Sequence, residues 1–182
     1  MSCLISHGRG LVCKDSIGGL DAIYLINDNT YDFATDIEYN VGTDVIKRVE
    51  GVSTLYKFNL KGANSFDQNV QPNADAGTNF IQQVLTAQLL TQDATMHSTF
   101  KMLMYSRPHV VVKTRSNQFF LAGAEYGMDM TAGGTKSGAQ MGDMNGYDVV
   151  LTGNERILAN FLDCTNEVSL LELFHDASVV NS

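Results

Sequence analysis

The chain has 182 residues, 44% of them hydrophobic and only 18% charged, with a formal net charge of −8. That acidity argues against a nucleic-acid binder working through phosphate contacts, which needs clustered Lys and Arg. Three cysteines, Cys3, Cys13 and Cys164, are too few and too scattered for a disulfide framework and suit a reducing cytosol, and no apolar run is long enough to span a membrane or to serve as a secretory signal.

The length fits one domain of about 150 residues with tails. Residues 1–20 carry Gly8, Gly10, Gly18 and Gly19 around short apolar pieces and read as an N-terminal arm that docks. Ala22–Asn27 is rich in β formers and reads as a strand, with Asp28-Asn29-Thr30 as a turn. Residues 31–50 alternate weakly, which predicts two short strands joined by a turn over Asn40–Asp44. From residue 54 a period of two sets in: Tyr56, Phe58, Leu60, Phe66 and Val70 on one parity, Lys57, Asn59, Lys61, Ser65, Asp67 and Asn69 on the other. Gln71–Gly77 is turn-rich, and the apolar run Phe80–Leu90 returns, so residues 54–90 are expected to form one long β-hairpin.

Asp93 is a candidate N-cap, and Met96, Phe100, Leu103 and Met104 form one apolar stripe, which predicts a helix over about 93–105 ended by Pro108. His109–Arg115, a Ser116-Asn117 turn and Gln118–Gly123 read as a second hairpin, which Glu125–Met130 could continue. Residues 132–146 are Gly-rich and read as a flexible loop ending in the Asn145-Gly146 turn, before a strand over Tyr147–Thr152. Val168–Phe174 reads as a short helix or a docking arm, and the last residues as loose.

No constellation points to catalysis. Gly133-Gly134-Thr135-Lys136-Ser137 departs from a phosphate loop because Thr135 separates glycine from lysine and no helix follows. His7, His97, His109 and His175 are isolated, so no zinc site is signalled. The acids of Asp28–Asp36 miss the calcium-loop pattern, with Phe33 where the glycine belongs and Tyr39 at the last ligand position. No enzymatic activity, cofactor or metal is expected. Met128, Met130, Met141 and Met144 border the Gly-rich loop and suit either core or a contact between subunits.

Three stretches carry a family resemblance: Ser6-His7-Gly8-Arg9-Gly10 with Cys13–Gly19; Tyr105–Val112 with Gln118–Gly123; and Ser137–Tyr147 leading to Asn160-Phe161-Leu162. Together, over roughly residues 5–162, the chain resembles tail structural proteins of tailed bacteriophages that infect Bacteroidetes, including the crAss-like group. The resemblance implies a mainly β fold: a tail-tube-like β-sandwich or barrel with one flanking helix (93–105) and the long hairpin (54–90). It implies division into an arm (1–20), a β domain (21–160) and a C-terminal extension (161–182). It further implies a virion structural protein, a tail-tube or connector-ring subunit that assembles in the host bacterial cytoplasm and resides in the phage tail. Its partners would be copies of itself in a hexameric or dodecameric ring, stacked rings, and neighbouring tail or portal proteins. DNA would pass through the lumen without specific binding, and no membrane is involved. The alternatives are a dodecameric head–tail adaptor below the portal and a soluble ligand-binding β-sandwich. Gly62, Asn64, Phe66, Asn69, Gln71, Asn73, Asp75, Met141 and Met144 are the expected contacts between subunits.

Overall fold

The computed structural model describes residues 8–10, 14, 17–175 and 177–181; the expectations for the rest of the N-terminal arm lie outside them. The chain is mainly β, with twelve strands and two helices among the described residues. The strands are β1 (Leu20–Ile26), β2 (Ile37–Tyr39), β3 (Ile46–Val49), β4 (Thr54–Asn59), β5 (Ser65–Asn73), β6 (Thr78–Leu90), β7 (His109–Thr114), β8 (Phe119–Ala122), β9 (Asp129–Lys136), β10 (Gly146–Glu155), β11 (Asn160–Phe161) and β12 (Ser178–Asn181). The helices are α1 (Ala94–Leu103) and α2 (Glu167–Leu173).

Two sheets carry the architecture. One has six strands in the order β11-β8-β7-β1-β4-β12, the other four in the order β5-β6-β10-β9, and β2–β3 is a separate hairpin. The two sheets form a sandwich and do not close into a barrel, so of the two expected shapes the sandwich holds. Between them lies one apolar core: Ile23, Leu25, Phe58, Val110 and Val112 from the first sheet meet Leu85, Ala87, Val149 and Leu151 from the second. Phe100 and Leu103 of α1 pack into the same core, which makes α1 the flanking helix. No helix among the described residues is long and apolar enough to cross a membrane.

A second core covers the other face of the six-stranded sheet. Ala22, Tyr24, Ile26, Leu55 and Val111 there meet Ile46 and Val49 of β3 and Leu170, Leu173 and Phe174. Burial on both faces explains why β1 is a near-continuous apolar run and not an alternating one. It also draws on the C-terminal part of the chain: Leu162, Cys164, Leu170, Phe174 and Ala177 are all buried in it. α2 begins at a capping box in which Ser169 N donates to the Asn166 side chain at 2.9 Å and Ser169 Oγ answers. Beyond it β12 pairs in parallel with β4, Ser178 opposite Thr54 to Asn181 opposite Lys57, so residues 178–181 are ordered as a strand and not loose.

The long hairpin is shorter than expected. β5 and β6 pair from Ser65↔Thr86 to Asn73↔Thr78, but β4 belongs to the other sheet, paired with β1 and β12. The alternation from 54 to 70 runs through both strands because the chain crosses from one side of the core to the other. Phe58 and Leu60 are buried from one sheet, and Phe66 packs from the other. The crossing at 60–64 turns on Gly62, whose φ of +98° favours glycine. Strand alternation reports which face is buried and is blind to which sheet supplies the face.

Two further expectations are corrected. Residues 129–136 are strand β9, not a flexible loop or a continuation of the β7–β8 hairpin: Met130 to Lys136 pair along β10. Their glycines mask strand character, and a bulge between Val150 and Leu151 breaks the period. Met104, the C-cap residue of α1, is exposed, while Met96 is half-buried. Asp93 is the N-cap residue of α1 but its side chain makes no capping bond.

Gly146 is a close-approach position. A Cβ there would overlap the Leu89 carbonyl oxygen, where β10 runs beside β6. Gly146→Ala is therefore expected to part the two strands at this end and lower stability by about 1–3 kcal/mol, read by thermal unfolding. An unchanged melting temperature would show that the strands tolerate the extra carbon.

Candidate functional site

The four-stranded sheet is the candidate site, because its outer face and both of its edges lack a partner among the described residues. Along β6, Ile81, Gln83, Leu85 and Ala87 point inward and are buried, while Gln82, Val84, Thr86 and Gln88 point out and are partly exposed. The register builds cross-strand rows on the outer face: Asn69–Gln82–Asn154, Ser65–Thr86–Val150 and Gln88–Asp148. The face is thus mostly amide and hydroxyl. Asp148 is paired with Lys136, and Asp129 at the start of β9 with Arg107 at 3.0 Å. Asp67 adds a carboxylate whose partner is the Ser65 hydroxyl, 3.0 Å away.

At one end of the sheet the hairpin outruns its neighbour. β10 last pairs with β6 at Glu155↔Ile81, so Gln71–Phe80 extend beyond the rest of the sheet. Val70 is 55% exposed and Phe80 41% exposed at the root of this projection. Asn73 Oδ1 accepts from Ala76 N at 3.0 Å and shapes the tip, and Gly77 turns it with a φ of +63°. At the opposite end lies the 137–145 loop, held by Asp143, whose carboxylate accepts from Ala139 N and Gln140 N at 2.9 and 2.8 Å. These bonds, first that from Gln140, keep the Asp143 carboxyl below its usual range. Met141 stands fully exposed on this loop.

The expected contact residues therefore fall into three places. Asn69, Gln71, Asn73 and Asp75 lie exposed along the outer half of the hairpin. Met141 and Met144 lie at the far end of the same sheet, Met144 partly covered. Gly62, Asn64 and Phe66 lie at the crossing between sheets. There Asn64 is buried and accepts from Gln88 N at 2.7 Å, the Gly62 carbonyl accepts from Arg115 Nη2 at 3.0 Å, and Phe66 is half-buried on the core. Asn64 in particular fastens β5 to β6 inside its own chain and presents no surface.

A buried polar cluster beneath the hairpin had no signature in the sequence. Glu155 and Gln83 point inward from neighbouring strands, and His109 faces them from the other sheet. All three hold the turn after β8: Gly123 N donates to Gln83 Oε1 at 2.9 Å, Tyr126 N to Glu155 Oε1 at 3.0 Å, and His109 Nδ1 to the Gly123 carbonyl at 2.6 Å. Since a carbonyl only accepts, Nδ1 carries the proton. Tyr31 packs against His109 with the rings tilted and their centroids 4.6 Å apart, and donates its hydroxyl to the Ala124 carbonyl at 2.9 Å. Gln83 could have been found only as an amide on the apolar parity of β6. Among the described residues no three His, Cys, Asp or Glu side chains are grouped to hold a metal ion.

Burial raises the Glu155 carboxyl above its usual 4.5, against the pull of the Tyr126 and Glu125 amides, and it lowers the His109 imidazole below its usual 6.5. A raised folded-state carboxyl value means that Glu155 contributes its full stability below 4.5 and loses it as pH rises through the folded value. His109 acts in the opposite sense: its contribution is present above 6.5 and lost as pH falls through its folded value. Glu155→Gln keeps an acceptor oxygen without the buried charge. The variant is expected to match or exceed the parent's stability at pH 8, with the advantage shrinking toward pH 4.5, in urea titrations across that range. A deficit that grows with pH would contradict the assignment.

No protein-family model, curated protein or solved structure matches the chain.

Proposed function

We propose that the chain is a ring-forming virion structural protein of a tailed bacteriophage, a tail-tube or tail-ring subunit whose copies surround the channel through which DNA leaves the capsid. It would assemble in the bacterial cytoplasm, reside in the phage tail, and have no enzymatic activity. The observation that carries this reading is the four-stranded antiparallel sheet whose two long edges, β5 and β9, pair with no further strand among the described residues. An exposed edge of nine residues is an aggregation hazard in a monomer and is blunted when another strand pairs with it. Four is an even number of strands, so copies related by rotation about a ring axis would set β9 of one against β5 of the next in antiparallel order. Such a head-to-tail contact closes when the rotation closes.

The chemistry of the outer face fits a channel wall. Amides and hydroxyls with carboxylates, and with Lys136 neutralised by Asp148, offer phosphates no cationic seat. The projection at 71–80 and the 137–145 loop stand at opposite ends of the sheet, where one ring would meet the next. Negative-stain microscopy with mass photometry of the purified chain tests the proposal. Rings or stacked tubes are expected; a chain that stays monomeric at high concentration would overturn it.

A further inference from the structure

An open groove lies between β5 and the β7–β8 turn of the other sheet, and Ile17 and Gly18 at the root of the N-terminal segment form part of its rim. Phe66 and Phe120 line it with ring centroids 6.3 Å apart, and Phe161 continues the row at 4.4 Å from Phe120. Phe161 is 45% exposed and Phe66 and Phe120 are half-buried, so the sandwich ends on this side in a row of aromatic rings that its own described residues cover only in part. The root is fastened beside the groove: Ser116 Oγ donates to the Ile17 carbonyl at 3.0 Å and Arg115 N to the Gly19 carbonyl at 3.1 Å. Upstream, Gly8, Arg9, Gly10 and Lys14 are exposed, and nothing lies within 4 Å of where a Cβ would stand on Gly8 or Gly10. These positions leave the body of their own chain.

The upstream sequence suits an apolar groove on an acidic body. Cys3-Leu4-Ile5 and Leu11-Val12-Cys13 are two short apolar pieces separated by glycines and Arg9. Arg9 and Lys14 outnumber Asp15, whereas the whole chain carries −8, so the segment is attracted to another copy of the protein. Sixteen extended residues span roughly 50 Å, enough to cross to a neighbour. Asp67, exposed on the β5 side of the groove, supplies a carboxylate for a basic residue of the incoming segment.

We infer that residues 3–13 of one copy seat their apolar side chains on the Phe66–Phe120–Phe161 row of a second copy. The exchange links neighbours by a contact separate from edge-to-edge strand pairing, and it rests on the proposed ring assembly. It also gives the aromatic row a cover.

Cysteine trapping tests this. Gln118 lines the groove, is exposed, and its side chain makes no hydrogen bond among the described residues. In Gln118→Cys, the native Cys3 and Cys13 are the expected partners. Cys164 is no competitor, being buried with its thiol pushed up to about 12. Under mild oxidation with oxidised glutathione, disulfides between chains are expected to form at least about tenfold faster than in Val41→Cys, a control at the tip of β2–β3. Replacing Cys3 and Cys13 by serine should abolish them. A disulfide within one chain, or a rate equal to the control, would overturn the inference. If rings are visible while the link forms no faster than the control, only this inference falls; a chain that remains monomeric removes the ring reading as well.

Discussion

Val70→Asp combined with Phe80→Asp is expected to abolish ring formation and leave the fold intact. Both side chains stand outside the two cores, Val70 at 55% and Phe80 at 41% exposure, at the root of the hairpin projection. Substitutions at exposed sites shift folding stability by only about half a kcal/mol. In a closed ring every copy would carry the two new carboxylates into the same contact. Like charges brought together at an interface cost several kcal/mol, which corresponds to association weakened by roughly a hundredfold or more. Mass photometry should then show single subunits, with a urea midpoint close to that of the parent. Rings persisting in the double variant would remove the hairpin from the assembly contact.

The second large effect is on stability. Leu85 is fully buried between the two sheets, opposite Phe66 on β5 and Leu151 on β10. Leu85→Ala leaves a cavity among the packed side chains of the two sheets and should cost about 2–5 kcal/mol. Thr86→Ala, one residue along on the outer face, should cost less than about 0.5 kcal/mol. The contrast between adjacent residues is the diagnostic: urea midpoints should separate widely at similar slope. Equal losses at both positions would mean that the outer face of β6 is also covered in the isolated chain.

Strand positions were legible in the sequence where β formers cluster between turn residues. β1, β7, β8, β10 and the β2–β3 pair follow the expected residues closely, as does α1, whose stripe of Met96, Phe100 and Leu103 faces the core. Three features were hidden for different reasons. β9 reads as loop because Gly133 and Gly134 remove the side chains that mark a strand. Gly133 is needed there: a Cβ would overlap Met130 and crowd the Asp148 carbonyl at 2.6 Å. The crossing from β4 to β5 preserves a period of two across a change of sheet, so periodicity alone merges two strands. The polar cluster of Gln83, His109 and Glu155 depends on three residues distant in sequence converging on one turn, which no local pattern records. As for the candidate site, the exposed hairpin was visible as Asn69–Asp75, but the burial of Asn64 was not. An amide that bonds a neighbouring strand's backbone looks, in sequence, like any other loop asparagine.

The pairing of β12 with β4 has a consequence for how the protein is made. The six-stranded sheet joins Thr54 to Ser178 and Leu25 to Tyr56, so its hydrogen-bond network draws on segments from nearly the whole sequence. Contacts this distant slow folding, because the loops between them must close before the pairing repays their entropy. Until residues 178–181 emerge from the ribosome, β4 keeps an open edge, and the core beneath it lacks α2. A nascent chain is therefore exposed to mispairing with its siblings for most of its synthesis. Expression at lower temperature or slower initiation, which spaces nascent chains apart, should raise the soluble yield more than it does for a protein whose sheets are sequence-local.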